Sequence, residues 1–232
     1  HELIGLEVAD LDACRTACAE MDVVVHLAAN PSPSADFYGS LLDSNIKGVY
    51  NILRAAKDAG CRRVVVASSV QAVTGYPMDV QVRTDNAPRP LNMYGVGKAF
   101  SEACAHYFAS AEGLSCVVVR IGTFEAEEKD HDRRPNARVL STFISRRDMS
   151  ELLVRCIETP DIPFAVVHGV SDNRYKFLDM SDTRTRLDFR PQDDAFRYFG
   201  VDLKYRDRWF RPAPTDPFCR EAPNGWEPEE GA

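Results

Sequence analysis

Tyr94 and Lys98 lie four residues apart in a stretch patterned as a helix, so both side chains leave the same helical face. A phenol ionises near pH 10 and is a poor base at neutral pH unless a nearby cation favours the phenolate. Lys98 is such a cation. Ser68 and Ser69 end a preceding apolar run, and a serine hydroxyl at that point can hold a substrate oxygen while the phenol moves its proton. The chemistry these types and spacings permit is proton transfer to or from a carbon-bound hydroxyl.

The elements that must position these residues can be read from the surrounding pattern. Val23–Ala28, Arg63–Ser68 and Cys116–Ile121 are continuous, valine-rich runs of the kind buried on both faces of a parallel sheet. Helical patterns fall between or before them, at about 12–20, 37–59 and 92–112. Gly60 stands just past the second helix, where a glycine commonly ends one. Strand, long helix, strand, long helix, strand predicts right-handed crossovers and a doubly wound, Rossmann-like α/β sheet. Ser69 then falls at the carboxyl edge, where open sheets of this kind place ligands.

Downstream, residues 125–136 are polar and predict a loop or lid. A helix is expected over about 148–158, a short strand over 164–167 and a helix over 193–199. The expected organisation is a core at 1–124, a small substrate-binding α/β region at 125–202 and an extended Pro-rich tail at 203–232.

Composition bounds the function. With 232 residues, 44% hydrophobic and 27% charged, the chain has the make-up of one or two globular domains. A formal charge of −7 without any basic run argues against nucleic acid as a partner. No run approaches the ~20 apolar residues of a membrane span. Seven scattered cysteines without CxxC spacing predict reduced thiols in a cytoplasmic protein, and no metal site.

Four landmarks occur in order: Val25-His26-Leu27-Ala28-Ala29, Asn45-Ile46-Lys47-Gly48, Ala67-Ser68-Ser69 and Tyr94-Gly95-Val96-Gly97-Lys98. Together they resemble extended short-chain dehydrogenases/reductases, the NAD-dependent epimerase/dehydratase family. The resemblance implies a Tyr94 that transfers the proton, a Lys98 that lowers its pKa and holds the nicotinamide ribose, and a Ser69 that orients substrate. It implies NAD as cofactor, with NADP open. Asp10 and Leu11 would contact adenine, and Ala28 and Ala29 the ribose and pyrophosphate. Leu27, Asn45, Ala67, Ser68 and Ile121 would complete the cofactor wall.

Further on, Arg138-Val139-Leu140-Ser141-Thr142 and His168-Gly169-Val170-Ser171-Asp172-Asn173 resemble uronate dehydrogenases and their relatives. That resemblance implies oxidation of a hexuronic acid at its anomeric carbon, with Arg138 pairing the substrate carboxylate. An NDP-sugar epimerase or dehydratase, or a cofactor-poor binding protein, is the alternative. Ser32 and Ser34 sit in the loop expected to line the sugar pocket. The bland readings make His26 a core histidine bonded to backbone and Asn45 a backbone-bonding residue. They leave Arg146 and Arg147 as a solvated helix entrance.

A Gly-rich turn of the GxGxxG kind is absent from the sequence, which begins at His1. The expectation is an N-terminally incomplete dinucleotide fold, either a fragment or a protein lacking that unit. A homodimer through the helices about 37–59 and 92–112 is expected.

Overall fold

The computed structural model describes residues 3–124 and 135–201. The elements in chain order begin with α1 (Leu11–Cys18), β1 (Val23–His26), a π-helical segment (Phe37–Lys47) running into α2 (Gly48–Asp58), and β2 (Arg63–Ser69). A 3-10 turn (Val70–Ala72), α3 (Met93–Glu112), β3 (Ser115–Ile121) and β4 (Thr123–Phe124) follow. The rest comprises α4 (Ala137–Thr142), β5 (Phe143–Ile144), α5 (Arg146–Glu158), β6 (Phe164–Gly169), α6 (Ser181–Leu187) and α7 (Ala195–Tyr198).

The main sheet is parallel throughout, in the order β1-β2-β3-β6. Valines dominate β2 and β3 because helices cover both faces, leaving no polar alternation to serve water. On one face Val64, Val66, Cys116 and Val118 pack with Cys14, Leu53, Ala56, Ala105 and Phe108 from α1, α2 and α3. On the other, Val65, Val117, Val119 and Val167 pack with Met149, Leu152 and Cys156 of α5 and with Leu187. This is the doubly wound α/β arrangement the valine runs predict.

Local chemistry sets the helix ends. Asn92 Oδ1 accepts the Gly95 N–H at 2.7 Å and starts α3, which Gly113 ends in the left-handed region at φ 70°. Ser145 Oγ accepts the Asp148 N–H and moves the start of α5 to Arg146, two residues ahead of the expected 148.

Several boundaries differ from the sequence expectation. β1 ends at His26, so Leu27 to Ala29 form a loop instead of a strand end. The helix expected over 37–59 is two pieces. Its first eleven residues have wide turns, seen in the Leu41 N–H bond to Asp36 O five residues back. There Ser44 Oγ donates to Ser40 O and Asn45 is tied to Asn30, so side chains draw the backbone out of α-helical register. β6 runs on to Gly169, and the last helix shortens to Ala195–Tyr198. β4 and β5 add a small parallel pair that no periodicity announces. Most of the expected lid and the whole of the Pro-rich tail at 203–232 lie outside the described residues: 125–134 and 202–232 are not described.

Candidate functional site

β2 delivers Ser68 and Ser69 to the carboxyl edge of the sheet. There Ser69 Oγ accepts the Gln71 N–H at 3.2 Å and caps the 3-10 turn. α3 begins against this turn. Gly95 permits the approach, because a β-carbon at that position would stand 2.4 Å from Gln71 O. Asn92 reinforces it from the helix cap, its Nδ2 donating to Gln71 Oε1 at 2.9 Å.

From its first turns α3 presents Tyr94, Lys98 and Glu102 on one buried face. The Tyr94 phenol faces the Ser69 hydroxyl. Burial raises the Tyr94 pKa, and the Ser69 hydroxyl beside it opposes that rise. Lys98 Nζ donates to Ala67 O at 2.8 Å and lies 5.5 Å from the centre of the Tyr94 ring. Burial pushes the Lys98 ammonium down to about 8. One turn deeper, Glu102 accepts from Arg120 Nε and Nη2, both at 2.9 Å, and from Ser68 Oγ at 2.7 Å. Ser68 therefore turns its hydroxyl into the helix–sheet interface while Ser69 faces Tyr94. Strand alternation separates the two.

The remaining candidates surround this edge at differing remove. Leu27 and Ala28 are exposed just past β1, and Ala29 and Ile121 are half-buried. Asn45 is buried, accepts the Asn30 N–H at 2.8 Å and donates to Asn30 O at 3.1 Å. It anchors the loop after β1. Ser32 and Ser34 sit in that loop with their hydroxyls 3.0 Å apart, and the Ser32 N–H donates to Asn30 Oδ1.

Asp10 is exposed and its carboxylate caps α1, accepting from Asp12 N and Ala13 N. Leu11 opens that helix half-buried, and the segment is tied to α2 by Asn51 Nδ2 donating to Val8 O. Neither Asp10 nor Leu11 meets the Tyr94 group directly. Arg138 stands in the first turn of α4 with its guanidinium 5.3 Å from the centre of the Phe177 ring. The far end of α4 is pressed on the site edge: a β-carbon on Gly122 would fall 1.8 Å from Thr142 O.

One bland reading needs correction: His26 Nε2 is buried without a hydrogen-bond partner, so that nitrogen bonds no backbone. Arg146 and Arg147 are exposed at the start of α5, as a solvated helix entrance should be, and Arg147 pairs there with Asp193. Gln71 and Asn92, which lock the 3-10 turn to α3, were not foreseen. A helix-capping asparagine two residues before the tyrosine was the available signal.

Among the described residues no cluster of His, Cys, Asp or Glu could hold a metal ion. An open cavity of about 620 Å³ lined by Arg62, Arg63 and Glu158 lies at the opposite, amino end of the strands. Arg63 there is bonded to the carbonyls of Cys156, Ile157 and Thr159, so it serves the end of α5.

Residues 1–183 match the NAD dependent epimerase/dehydratase family. The chain is 31% identical to uronate dehydrogenase of Pseudomonas syringae pv. tomato over 84% of its own length and 68% of the relative's. It is 34% identical to L-arabinose 1-dehydrogenase (NAD(P)(+)) of Haloferax volcanii, over 82% of both. A crystal structure of a tyrosine-to-alanine mutant of Agrobacterium tumefaciens uronate dehydrogenase, complexed with NAD, superposes with a TM-score of 0.78 at 31% identity. It covers 93% of this chain and 77% of that one. The ordered landmarks, the parallel sheet and the buried Ser-Tyr-Lys group thus converge with these likenesses: the chain belongs to the NAD dependent epimerase/dehydratase family.

Proposed function

We propose that this protein oxidises the anomeric hydroxyl of a hexuronic acid to a lactone, with NAD as cofactor. The observation that carries the reading is the buried Tyr94 on α3 facing Ser69 at the sheet edge, with Lys98 one turn along the same helix face and 5.5 Å from the centre of the Tyr94 ring. The uronate dehydrogenase relatives support the substrate class.

The residues present fit the ribose and nicotinamide end of such a cofactor. An ammonium has three donors, and Ala67 O accepts one of those on Lys98, so another can meet a ribose hydroxyl. Leu27, Ala28 and Ala29 would run beside ribose and pyrophosphate, with Ser68, Ala67, Asn45 and Ile121 shaping the wall behind them. Asp10 and Leu11 would take the adenine. When bound, NAD supplies the acceptor for the hydride that leaves C1.

Tyr94 takes the hydroxyl proton as the C1–H electron pair departs and the C1=O bond forms. Ser69 steadies the oxygen. The charge on Lys98 favours the Tyr94 phenolate against the burial that disfavours it. Arg138 would pair the substrate carboxylate, and Ser32 and Ser34 would meet sugar hydroxyls. Residues 1–124 would thus carry cofactor and proton transfer, and 125–202 the substrate side.

A screen of uronic acids, neutral aldoses and nucleotide sugars for NADH formation tests the reading. Fastest turnover of a uronic acid upholds it. Preference for a neutral aldose moves the reading towards the arabinose dehydrogenase relative. Conversion of a nucleotide sugar without net NADH makes the protein an epimerase, and absence of NAD binding makes it a binding protein. Tyr94→Phe should lower kcat by about 10²–10⁴-fold with NAD affinity nearly unchanged. Arg138→Ala should raise KM for the uronic acid by roughly 10–100-fold, the worth of a charged hydrogen bond, and leave the neutral aldose little affected.

We also propose a homodimer through the π-helical segment with α2, and α3, supported by exposed Tyr50, Val96 and Tyr107. Sedimentation of the wild type against Tyr107→Glu tests it. No helix among the described residues is long and apolar enough to cross a membrane. The described cysteines are free thiols, which supports a reducing, cytoplasmic setting.

A further inference from the structure

His26 ends β1 opposite Val66, the residue before the Ala67 whose carbonyl holds Lys98. Paired residues of neighbouring strands point to the same face, and Val66 packs with Ala105 and Phe108 of α3. The imidazole therefore lies on the α3 side of the sheet, near enough to Lys98 to feel its charge. It is 5% exposed, and its Nε2 has no hydrogen-bond partner. Lys98, equally buried, has donors beyond the one taken by Ala67 O. A buried acceptor without a donor beside a buried cation with donors to spare are complementary defects, and one bridging water satisfies both.

We propose that His26 is a positioning residue for Lys98, its Nε2 accepting from a buried water to which the Lys98 ammonium donates. The proposal rests on the reading of Tyr94 and Lys98 as the proton-transfer pair.

The other groups facing Lys98 leave this place open. On α3, Tyr94 faces Ser69, and Glu102 is held by Arg120 and Ser68. From the π-helical segment, Asn45 is bonded to Asn30, while Asp43 and Lys47 pair with each other at the surface. Burial, with the Lys98 charge adding to it, pushes His26 down to about 4. Its ring is consequently neutral across the working range of a dehydrogenase, an acceptor for the ammonium and no rival cation. An acceptor matters because burial alone brings Lys98 down to about 8, close to losing its charge.

The two-bond proton–nitrogen spectrum of the histidine rings, with His26 assigned by its loss in His26→Gln, tests the first half without any turnover. The expected result is the tautomer protonated on Nδ1, with a bare Nε2 whose resonance moves in Lys98→Met. A proton on Nε2, or an Nε2 resonance indifferent to Lys98→Met, overturns the proposal. The second half is the pH profile of kcat. Removing the acceptor in His26→Leu weakens the ammonium, raises the Tyr94 pKa and should shift the limb that reports this pair to higher pH by about 0.5–1 unit. His26→Gln, which keeps an acceptor, should return it towards wild type. Coincident limbs for wild type and His26→Leu, with activity lowered equally at all pH, would mark a purely structural histidine and overturn the proposal. Full turnover in Tyr94→Phe would instead sink the proton-transfer reading, while the ring tautomer would still decide whether His26 serves Lys98.

Discussion

Residues 3–124 and 135–201 hold their shapes by different means. In the first stretch the register comes from the backbone ladder of β1, β2 and β3, and side chains such as Val64, Val66 and Val118 fill space between helices. In the second, single polar side chains pin distant backbone. The Asp148 carboxylate accepts from Ser171 Oγ at 2.6 Å, Gln192 N at 2.8 Å and Asp193 N at 3.0 Å. Asn173 donates to Phe143 O and accepts the Ala195 N–H. Thr183 Oγ1 accepts the His168 N–H and donates to His168 O. Apolar packing spreads its energy over many weak contacts and tolerates the loss of a few. A polar pin concentrates it, and removing one partner leaves the others buried and unsatisfied.

The sharpest way to break this comparison is to cut one member of each kind. Asp148→Ala strands a buried hydroxyl and two backbone N–H groups, and should destabilise the fold by about 3–5 kcal/mol. Val118→Ala removes two methyl groups from a fully buried site and should lose roughly 2–3 kcal/mol. Denaturant titration of the two variants checks the order. If Val118→Ala is the more damaging, the second region does not depend on its pins as argued.

A smaller effect separates the regions by pH. His168 is fully enclosed, its Nδ1 lies 2.7 Å from Asp179 O, and Arg120 stands opposite it in the sheet. Burial lowers its pKa to about 4, so between pH 6.5 and 4 the unfolded chain binds a proton that the folded one refuses. Stability is present above pH 6.5 and falls as the pH drops through that window, by roughly 2–3 kcal/mol for this group. His168→Gln should flatten the fall relative to wild type over the same interval. Parallel curves would show that His168 is protonated in the native state.

The contrast also accounts for what could be read in advance. Valine runs declare β2 and β3 because a strand buried on both faces has few other compositions. Tyr94, Lys98 and Ser69 were legible because one helix turn and one strand end suffice to bring them together. The Gln71–Asn92 bond was not, since it joins side chains twenty-one residues apart that are each ordinary turn and cap residues. Asp148 reads in sequence as a first-turn acid of α5, and nothing local to it announces Gln192 and Asp193. The split of the second helix was hidden for the same reason: Asn45 is drawn to Asn30 across fifteen residues, against a helical pattern that is locally unbroken.

Asn45 is one place where the first region behaves like the second, and it gives the smallest of the expected effects. Its buried carboxamide holds both backbone groups of Asn30, and Asn30 in turn accepts the Ser32 N–H and donates to Ser40 Oγ. Asn45→Ala should remove about 1–2 kcal/mol of stability, because the freed Asn30 groups are half-buried and can recover water. Local order should suffer more than global stability. Amide exchange at Ser32 and Ser34 should quicken while that of Val64 to Val66 stays slow, since the ladder does not depend on this anchor. If the loop lines the sugar pocket, KM should rise a few-fold with kcat less affected, as expected when binding geometry loosens and the Tyr94 group stays intact. Unchanged exchange in the loop would mean that the Ser32–Ser34 and Ser32–Asn30 bonds hold it alone, and that Asn45 is no pin of the kind found in residues 135–201.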